Sequence, residues 1–192
     1  MLREVDRWLA LRYGGKRAWL RLIGERAAHA AGRYAGLDPI DWTGVARLVF
    51  VCSGNICRSP YGEAKARSLG VLAASFGLSA DARSAVDPRA RDVAARRGVD
   101  LSSHRVRGVA EIRLSPNDLL LLFEPSHAAV LQSQVPAELC VQVRPLGLWS
   151  SPVCPYIHDP FGLDERYFDA CFARIDSAVA RVAALLRDGQ HR

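Results

Sequence analysis

The segment 48–64 reads Leu48-Val49-Phe50-Val51-Cys52-Ser53-Gly54-Asn55-Ile56-Cys57-Arg58-Ser59-Pro60-Tyr61-Gly62-Glu63-Ala64. Its first four residues are apolar, which is typical of a buried β-strand. Pro60 suits the first turn of a helix, where a missing N–H leaves no hydrogen bond unmade, and we expect that helix to run to Gly70. A short loop from Cys52 to Arg58 therefore lies between a predicted strand and a predicted helix.

This loop, residues 52–58, has the composition of an anion-binding site, and we call it the anion cradle. Backbone N–H groups that converge before a helix start have no partner within the helix, and the helix dipole also favours negative charge there. Gly54 allows close approach of the backbone, and Arg58 can hold two phosphate oxygens with its planar guanidinium. Cys52 would lie at the floor of the cradle, where the surrounding donors favour a thiolate. A nucleophile beneath a bound oxyanion predicts covalent catalysis.

The ten residues 51–60 resemble the signature loop of the low-molecular-weight protein tyrosine phosphatases, in which five residues separate a cysteine from an arginine. The resemblance implies that Cys52 is the nucleophile, that Arg58 binds the phosphate, and that no metal or cofactor takes part. It also implies a phosphate-binding loop formed by Ser53, Gly54, Asn55, Ile56, Cys57 and Arg58. The alternative interpretation is a buried strand, a turn and an ordinary helix start.

The same resemblance implies three residues that support the cradle. Ser59 would hydrogen-bond the nucleophilic sulfur and ease its release. His104 lies in the stretch 100–107, which is similar to the family's Leu-Ser-x-His-x-Ala-Arg, and it would stiffen the loop. Ser75 would hold the loop asparagine, with Ser79 as the competing choice, because Ser75-Phe76-Gly77 is similar to the family's Ser-Ala-Gly.

A second motif, His158-Asp159-Pro160-Phe161-Gly162, follows the last predicted strand. An Asp-Pro pair in a loop usually only starts a turn. Its position before the terminal helix, however, resembles that of the family's general-acid loop. The resemblance implies that Asp159 is the general acid and that Phe161 forms a wall against the substrate ring, whereas Gly162 replaces an aromatic residue found in some members.

From residue 71 onward, short apolar runs alternate with helical patterns. We predict strands at 71–75, 118–124 and 139–146 and helices at 87–98, 126–134 and 164–186. Strands that alternate with helices imply the α/β class, here a doubly wound four-stranded parallel sheet with helices on both faces. Such folds bind ligands at the carboxyl ends of their strands, which is where the anion cradle would lie.

The family resemblance does not extend to the first part of the chain, so we predict a helical N-terminal extension over 1–45 and a phosphatase domain over 46–192. Apolar residues recur at helical spacing in the extension, with a break at Gly14-Gly15. The pair Asp38-Pro39 and the turn 41–44 read as the linker. We favour two helices packed on the domain, and the alternative is a basic amphipathic helix on a membrane surface or a partner.

Length, charge and cysteine content restrict the classes of protein that the sequence fits. The chain has 192 residues, 49% of them hydrophobic, which is enough for one substantial core. Its net charge is +6, but the arginines are scattered singly, so we expect no nucleic-acid partner. Five cysteines without metal-ligand spacing, and no signal peptide, favour the cytoplasm.

The resemblance leaves several alternatives open. An arsenate reductase on the same fold would need two relay cysteines, for which only Cys140 and Cys154 are candidates. A non-catalytic phosphotyrosine-binding module would be expected to lack the nucleophile, the arginine or the general acid. Cys57 could form a disulfide that protects Cys52 from over-oxidation, or could simply pack beneath the loop. The implied partner is a phosphotyrosine protein, such as a bacterial tyrosine kinase that controls export of exopolysaccharide.

Overall fold

A computed structural model describes residues 2–35 and 39–190. Its helices are α1 (Leu2–Tyr13), α2 (Lys16–Ala30), α3 (Arg58–Ser68), α4 (Pro88–Arg96), α5 (His127–Gln134) and α6 (Glu165–Gln190). Its strands are β1 (Arg47–Cys52), β2 (Ala73–Gly77), β3 (Asp118–Leu122) and β4 (Gln142–Pro145). Asp38 of the predicted linker lies outside the described residues.

The four strands form one parallel sheet in the order β2-β1-β3-β4. The side chains of β1 alternate between two apolar clusters. Phe50 packs in the larger cluster with α6, and Val49 and Val51 pack in the smaller cluster with Leu131 of α5. Helices therefore cover both faces of the sheet, and the predicted doubly wound parallel fold is confirmed.

Several strand and helix boundaries differ from prediction. β2 begins at Ala73 and not at residue 71, because the N–H of Val71 is used to close the end of α3 on the carbonyl of Ala66. β4 is shorter than predicted, since one 3₁₀ turn, Ala137–Leu139, precedes it and another begins at Leu146. The terminal helix continues to Gln190, where Trp42 packs on the last turn.

The N-terminal residues form two helices that pack on the rest of the fold, as the amphipathic pattern predicts. α1 packs on α6, and α2 packs on the segment 153–156. Leu9 of α1 and Leu22 of α2 are buried, and the side chain of Arg174 in α6 donates a 2.6 Å hydrogen bond to the carbonyl of Arg12. The predicted break falls between the helices, with Gly14 and Gly15 both at positive φ. Over the described part of the chain, every helix is too short or too polar to cross a membrane.

Candidate active site

The anion cradle joins the carboxyl end of the central strand to the start of a helix. Cys52 is the last residue of β1 and Arg58 is the first residue of α3. Both are buried, with exposed fractions of 3% for Cys52 and 0% for Arg58. The nucleophile candidate and the phosphate-binding candidate therefore lie together at the carboxyl edge of the sheet, where a parallel α/β fold binds ligands.

The sulfur of Cys52 is surrounded by hydrogen-bonding groups. The backbone N–H of Asn55 donates to Cys52 Sγ at 3.3 Å, and Ser59 Oγ lies 3.0 Å from the same sulfur. Ser59 thus occupies the position that the resemblance implied. Hydrogen bonds of this kind stabilise negative charge on sulfur, as a nucleophilic thiolate requires.

The side chain of Asn55 fixes the loop by hydrogen bonds to three other segments. It has a left-handed backbone conformation, with φ of 56°. Its Nδ2 donates to Ser59 Oγ and to Ser75 Oγ, both at 2.8 Å, and its Oδ1 accepts a 2.9 Å bond from the N–H of Arg107. The same Oδ1 lies 3.0 Å from His104 Nε2. These bonds offset the cost of the left-handed conformation.

The contacts of Asn55 decide between the two candidate serines. Ser75, and not Ser79, binds the loop asparagine, because residue 75 pairs with Phe50 of β1 in the sheet. Ser79 instead donates its backbone N–H to the carbonyl of Ser53 at 2.8 Å.

Glu63 completes this network and was missed from the sequence. Its buried carboxylate accepts bonds from Ser75 Oγ at 2.5 Å and from Arg107 at 3.0 Å, and it pairs with Arg67 at 2.7 Å. Its position on α3, four residues after Ser59, was the available signal, since residues at that spacing share a helix face. Glu63 links the cradle to the segment that carries His104.

The close packing around residue 77 explains why β2 ends in a glycine. A Cβ at this position would lie 2.6 Å from the carbonyl oxygen of Ser53 and 2.8 Å from the backbone nitrogen of Asn55. Both atoms belong to the cradle, so a larger residue would push on the backbone that must hold the anion.

Arg58 is fixed by three neighbours. Its NH1 donates to Glu124 Oε1 and to the carbonyl of Ile157, both at 2.8 Å. Its NH2 lies 2.7 Å from Asp159 Oδ2, in an ion pair without the alignment of a hydrogen bond. Burial by itself lowers the pKa of Arg58, but Asp159, Cys52 and Glu124 raise it above its ordinary value, so the guanidinium stays charged.

Glu124 was also not among the site residues predicted from the sequence. Phe123 is buried in the core, with its ring centroid 5.7 Å from the Arg58 guanidinium. Glu124 adds an ion pair that orients the same guanidinium. A charged residue directly after a buried strand was the signal that was available.

The His158–Gly162 loop brings Asp159 over the cradle. Asp159 Oδ2 reaches Arg58, and its Oδ1 accepts a 3.2 Å bond from the N–H of Phe161. Phe161 is 59% exposed, so its ring can meet a substrate from outside. Gly162 has φ of 79°, a conformation that favours glycine.

Three histidines surround the site, two of them missed from the sequence. His127 Nε2 lies 3.3 Å from Ser53 Oγ, and His158 Nδ1 lies 2.6 Å from the hydroxyl of Tyr156. Burial is the main cause that lowers the pKa of His104, His127 and His158 below their ordinary value of 6.5.

These histidines make stability depend on pH. Because their pKa is depressed in the folded state, the unfolded chain binds more protons as the pH falls through 6.5, and stability is lost there. We expect the melting temperature to fall by roughly 5 °C between about pH 7.5 and about pH 5.5. Calorimetry at both pH values measures this.

His127→Gln should flatten the dependence. The matched control is His29→Gln, which makes the same substitution at an exposed position of α2. A melting temperature that is flat or rises on acidification would contradict this account of the histidines.

The five cysteines are all free thiols. Cys57 is buried, and burial is the main cause that raises its pKa far above the ordinary value. A protective disulfide between Cys57 and Cys52 stays a prediction. Cys171 is fully buried on α6, as expected of a small apolar residue.

The candidate relay cysteines lie away from the nucleophile or are buried. Cys140 precedes β4, whereas Cys52 ends β1. Because the sheet is parallel, the two residues lie at opposite ends of its strands. Cys154 is buried, with Sγ 3.2 Å from the carbonyl of Tyr156. This placement disfavours a disulfide relay through Cys140. Within residues 2–35 and 39–190, no group of three or more His, Cys, Asp or Glu is placed to hold a metal ion.

Comparison with known proteins identifies the family. The family model described as low molecular weight phosphotyrosine protein phosphatase matches residues 47–191. The chain belongs to this family. The match begins at the first residue of β1, so α1 and α2 lie outside it.

Curated members and solved structures give the same result. The chain is 37% identical over 93 residues to the probable low molecular weight protein-tyrosine-phosphatase EpsP of Ralstonia nicotianae, an alignment that covers 47% of this chain and spans 64% of that relative's length. It is 32% identical to Etp of Escherichia coli K12, over 68% of this chain and 88% of Etp. The crystal structure of the Erwinia amylovora tyrosine phosphatase AmsI superposes with a TM-score of 0.63 at 26% identity, covering 73% of this chain and 92% of AmsI.

Proposed function

We propose that this chain is a protein-tyrosine-phosphatase that acts through a phosphocysteine intermediate. The observation that carries the proposal is the placement of Cys52 beneath a loop of backbone donors, with Arg58 and Asp159 paired at 2.7 Å beside it. A nucleophile, an oxyanion-binding guanidinium and a carboxyl group thus converge on one site, as phosphoryl transfer requires.

In the first step, the Cys52 thiolate attacks phosphorus in line with the leaving oxygen. An S–P bond forms while the P–O bond to the tyrosine ring breaks. Arg58 and the N–H groups of residues 53–58 hold the equatorial oxygens as charge shifts between them. Asp159, in its protonated form, gives its proton to the departing phenolate oxygen.

In the second step, water hydrolyses the phosphocysteine. Asp159, now a carboxylate, takes a proton from the water as its oxygen attacks phosphorus. The S–P bond breaks, inorganic phosphate is released, and Cys52 returns as a thiolate. Ser59, 3.0 Å from the sulfur, hydrogen-bonds the leaving thiolate and favours its departure.

Phosphotyrosine suits the depth of the site. Cys52 lies at the floor of the cradle and is buried, so a phosphate on a long, flat side chain can reach it while a short phosphoserine side chain is held back. In this proposal, the ring of Phe161 stacks on the substrate ring as a wall, and its exposure supports this role.

The natural substrate is a phosphotyrosine protein, and the family resemblance favours a bacterial tyrosine kinase that controls exopolysaccharide export. A cytoplasmic location suits the free thiols, which persist in a reducing compartment. We assign the phosphatase domain to 46–192 and the extension to 1–45, without favouring membrane contact by the extension.

Substrate classes test the proposal directly. With a chelator and a reductant present, we expect hydrolysis of a phosphotyrosine peptide at least about 100-fold faster than that of matched phosphoserine and phosphoarginine peptides. Phosphoserine is too short to reach Cys52, and phosphoarginine lacks the aromatic ring that would stack on Phe161. Phosphate release measures the rates. Equal or faster hydrolysis of either competitor would contradict the proposal.

A double cysteine variant tests the alternative that the chain is an arsenate reductase. Replacing Cys140 and Cys154 by serine should leave aryl-phosphate hydrolysis intact. Arsenate turnover that is lost in this double variant would favour the reductase instead.

A further inference from the structure

The N-terminal extension packs directly against the general-acid loop. Gly14, between α1 and α2, has φ of +82°, and a Cβ there would lie 2.4 Å from Cδ2 of His158. The glycine therefore allows the extension to approach the residue that immediately precedes Asp159. The segment that joins the two helices therefore contacts the active-site loop, although both helices lie outside the family match.

Arg21 of α2 lies at this contact. Its guanidinium carbon is 5.0 Å from the centroid of the Tyr156 ring, a cation–π distance. Tyr156 in turn contacts His158 Nδ1 through its hydroxyl at 2.6 Å. Arg21 is therefore connected to the Asp159 loop through two side chains.

The positive charge of Arg21 acts on two histidines beside the cradle. Together with the larger effect of burial, it lowers the pKa of both His127 and His158. His127 contacts Ser53 of the cradle, and His158 adjoins Asp159, so both histidines lie beside the site. Arg21 contributes positive charge beside that site.

Arg21 is also accessible. Its side chain is exposed, whereas Arg58 is buried and already paired with Glu124 and Asp159. Within residues 2–35 and 39–190, no ion pair joins Arg21 to a carboxylate. The rim of the site thus carries an arginine whose charge is available to a ligand from solution.

We propose that Arg21 is a specificity residue that binds an acidic side chain next to the phosphotyrosine of the substrate. The guanidinium of Arg21 contacts the ring of Tyr156 and also interacts with the Tyr156 hydroxyl. A guanidinium has five N–H donors, so it can still donate to a carboxylate. The substrate class is then a phosphotyrosine segment with flanking aspartate or glutamate. This inference rests on the proposed phosphatase activity and adds a subsite to it.

The test compares three phosphotyrosine peptides that differ only in flanking residues, which are aspartate, asparagine or lysine. Arg21→Glu should lower kcat/KM for the aspartate peptide by about three- to ten-fold and raise it for the lysine peptide, because one rim charge is reversed. The kcat for p-nitrophenyl phosphate, which has no flanking residues, should change less than about two-fold, because attraction of the substrate does not limit the rate at saturation. The effect on the aspartate peptide should shrink in high salt.

The matched control is Arg7→Glu, which makes the same charge change at an exposed position of α1. It should leave the ranking of the three peptides unchanged. A loss that is equal for all three peptides in Arg21→Glu would overturn the subsite and indicate that Arg21 only supports the loop. If wild-type protein hydrolyses no phosphotyrosine peptide, the phosphatase proposal itself fails, so the two failures are distinguishable.

Discussion

Replacing Cys52 by serine is expected to lower kcat for p-nitrophenyl phosphate by at least about 10⁴-fold. A hydroxyl in the same place is not ionised at neutral pH and is a far weaker nucleophile than a thiolate. The substitution is close in size, and the neighbouring Ser59 and Asn55 N–H can still bond the new oxygen. Steady-state kinetics measures the loss, and thermal melting checks that the fold is kept.

Cys140→Ser is the matched control, because it makes the same chemical change at an exposed thiol away from the site. It should keep wild-type activity. Cys52→Ser that retains more than about a tenth of wild-type kcat would be incompatible with Cys52 as the nucleophile.

Replacing Asp159 by asparagine is expected to lower kcat/KM, which reports the step that forms the phosphocysteine, by about 10²- to 10³-fold for phosphotyrosine. The amide carries no proton to give to the leaving oxygen, although it keeps the shape of the side chain. The loss should be smaller for p-nitrophenyl phosphate, because p-nitrophenolate is a weaker base and needs less protonation. Kinetics with both substrates measures this difference.

Asp164→Asn serves as the control for Asp159→Asn. Asp164 lies near the same loop, where it accepts a 2.8 Å bond from the N–H of Arg166, so its replacement tests general loosening of the loop. It should affect both substrates equally and weakly. An equal loss for both substrates in Asp159→Asn would argue against a role in protonating the leaving group.

Local features of the site were predictable from the sequence. The apolar run before Cys52, the glycine in the loop and the proline after Arg58 place a strand, a cradle and a helix within 17 residues. Asp87 likewise caps α4, since its side chain accepts from the N–H groups of Arg89 and Ala90. Such signals are carried by neighbours in the chain.

Contacts between distant segments were not predictable in the same way. Glu124 is 66 residues from Arg58, and Glu63 is 44 residues from Arg107, so no local pattern marks either pair. Arg21 is farther still in sequence from Tyr156, whose ring it contacts, and no local pattern distinguishes it from the other basic residues of the extension. The choice of Ser75 over Ser79 depended on strand register, which the single sequence left open.

The most direct test is to trap the phosphoryl group on the protein. Asp159→Asn should be mixed with p-nitrophenyl phosphate and quenched in acid within the first turnover, because this variant lacks the general base that hydrolyses the intermediate. Peptide mapping by mass spectrometry then locates the phosphoryl group. We expect it on Cys52 and absent from the Cys52→Ser/Asp159→Asn double variant. Release of p-nitrophenol with the phosphoryl group on another residue, or with none on the protein at any time, would contradict a phosphocysteine mechanism.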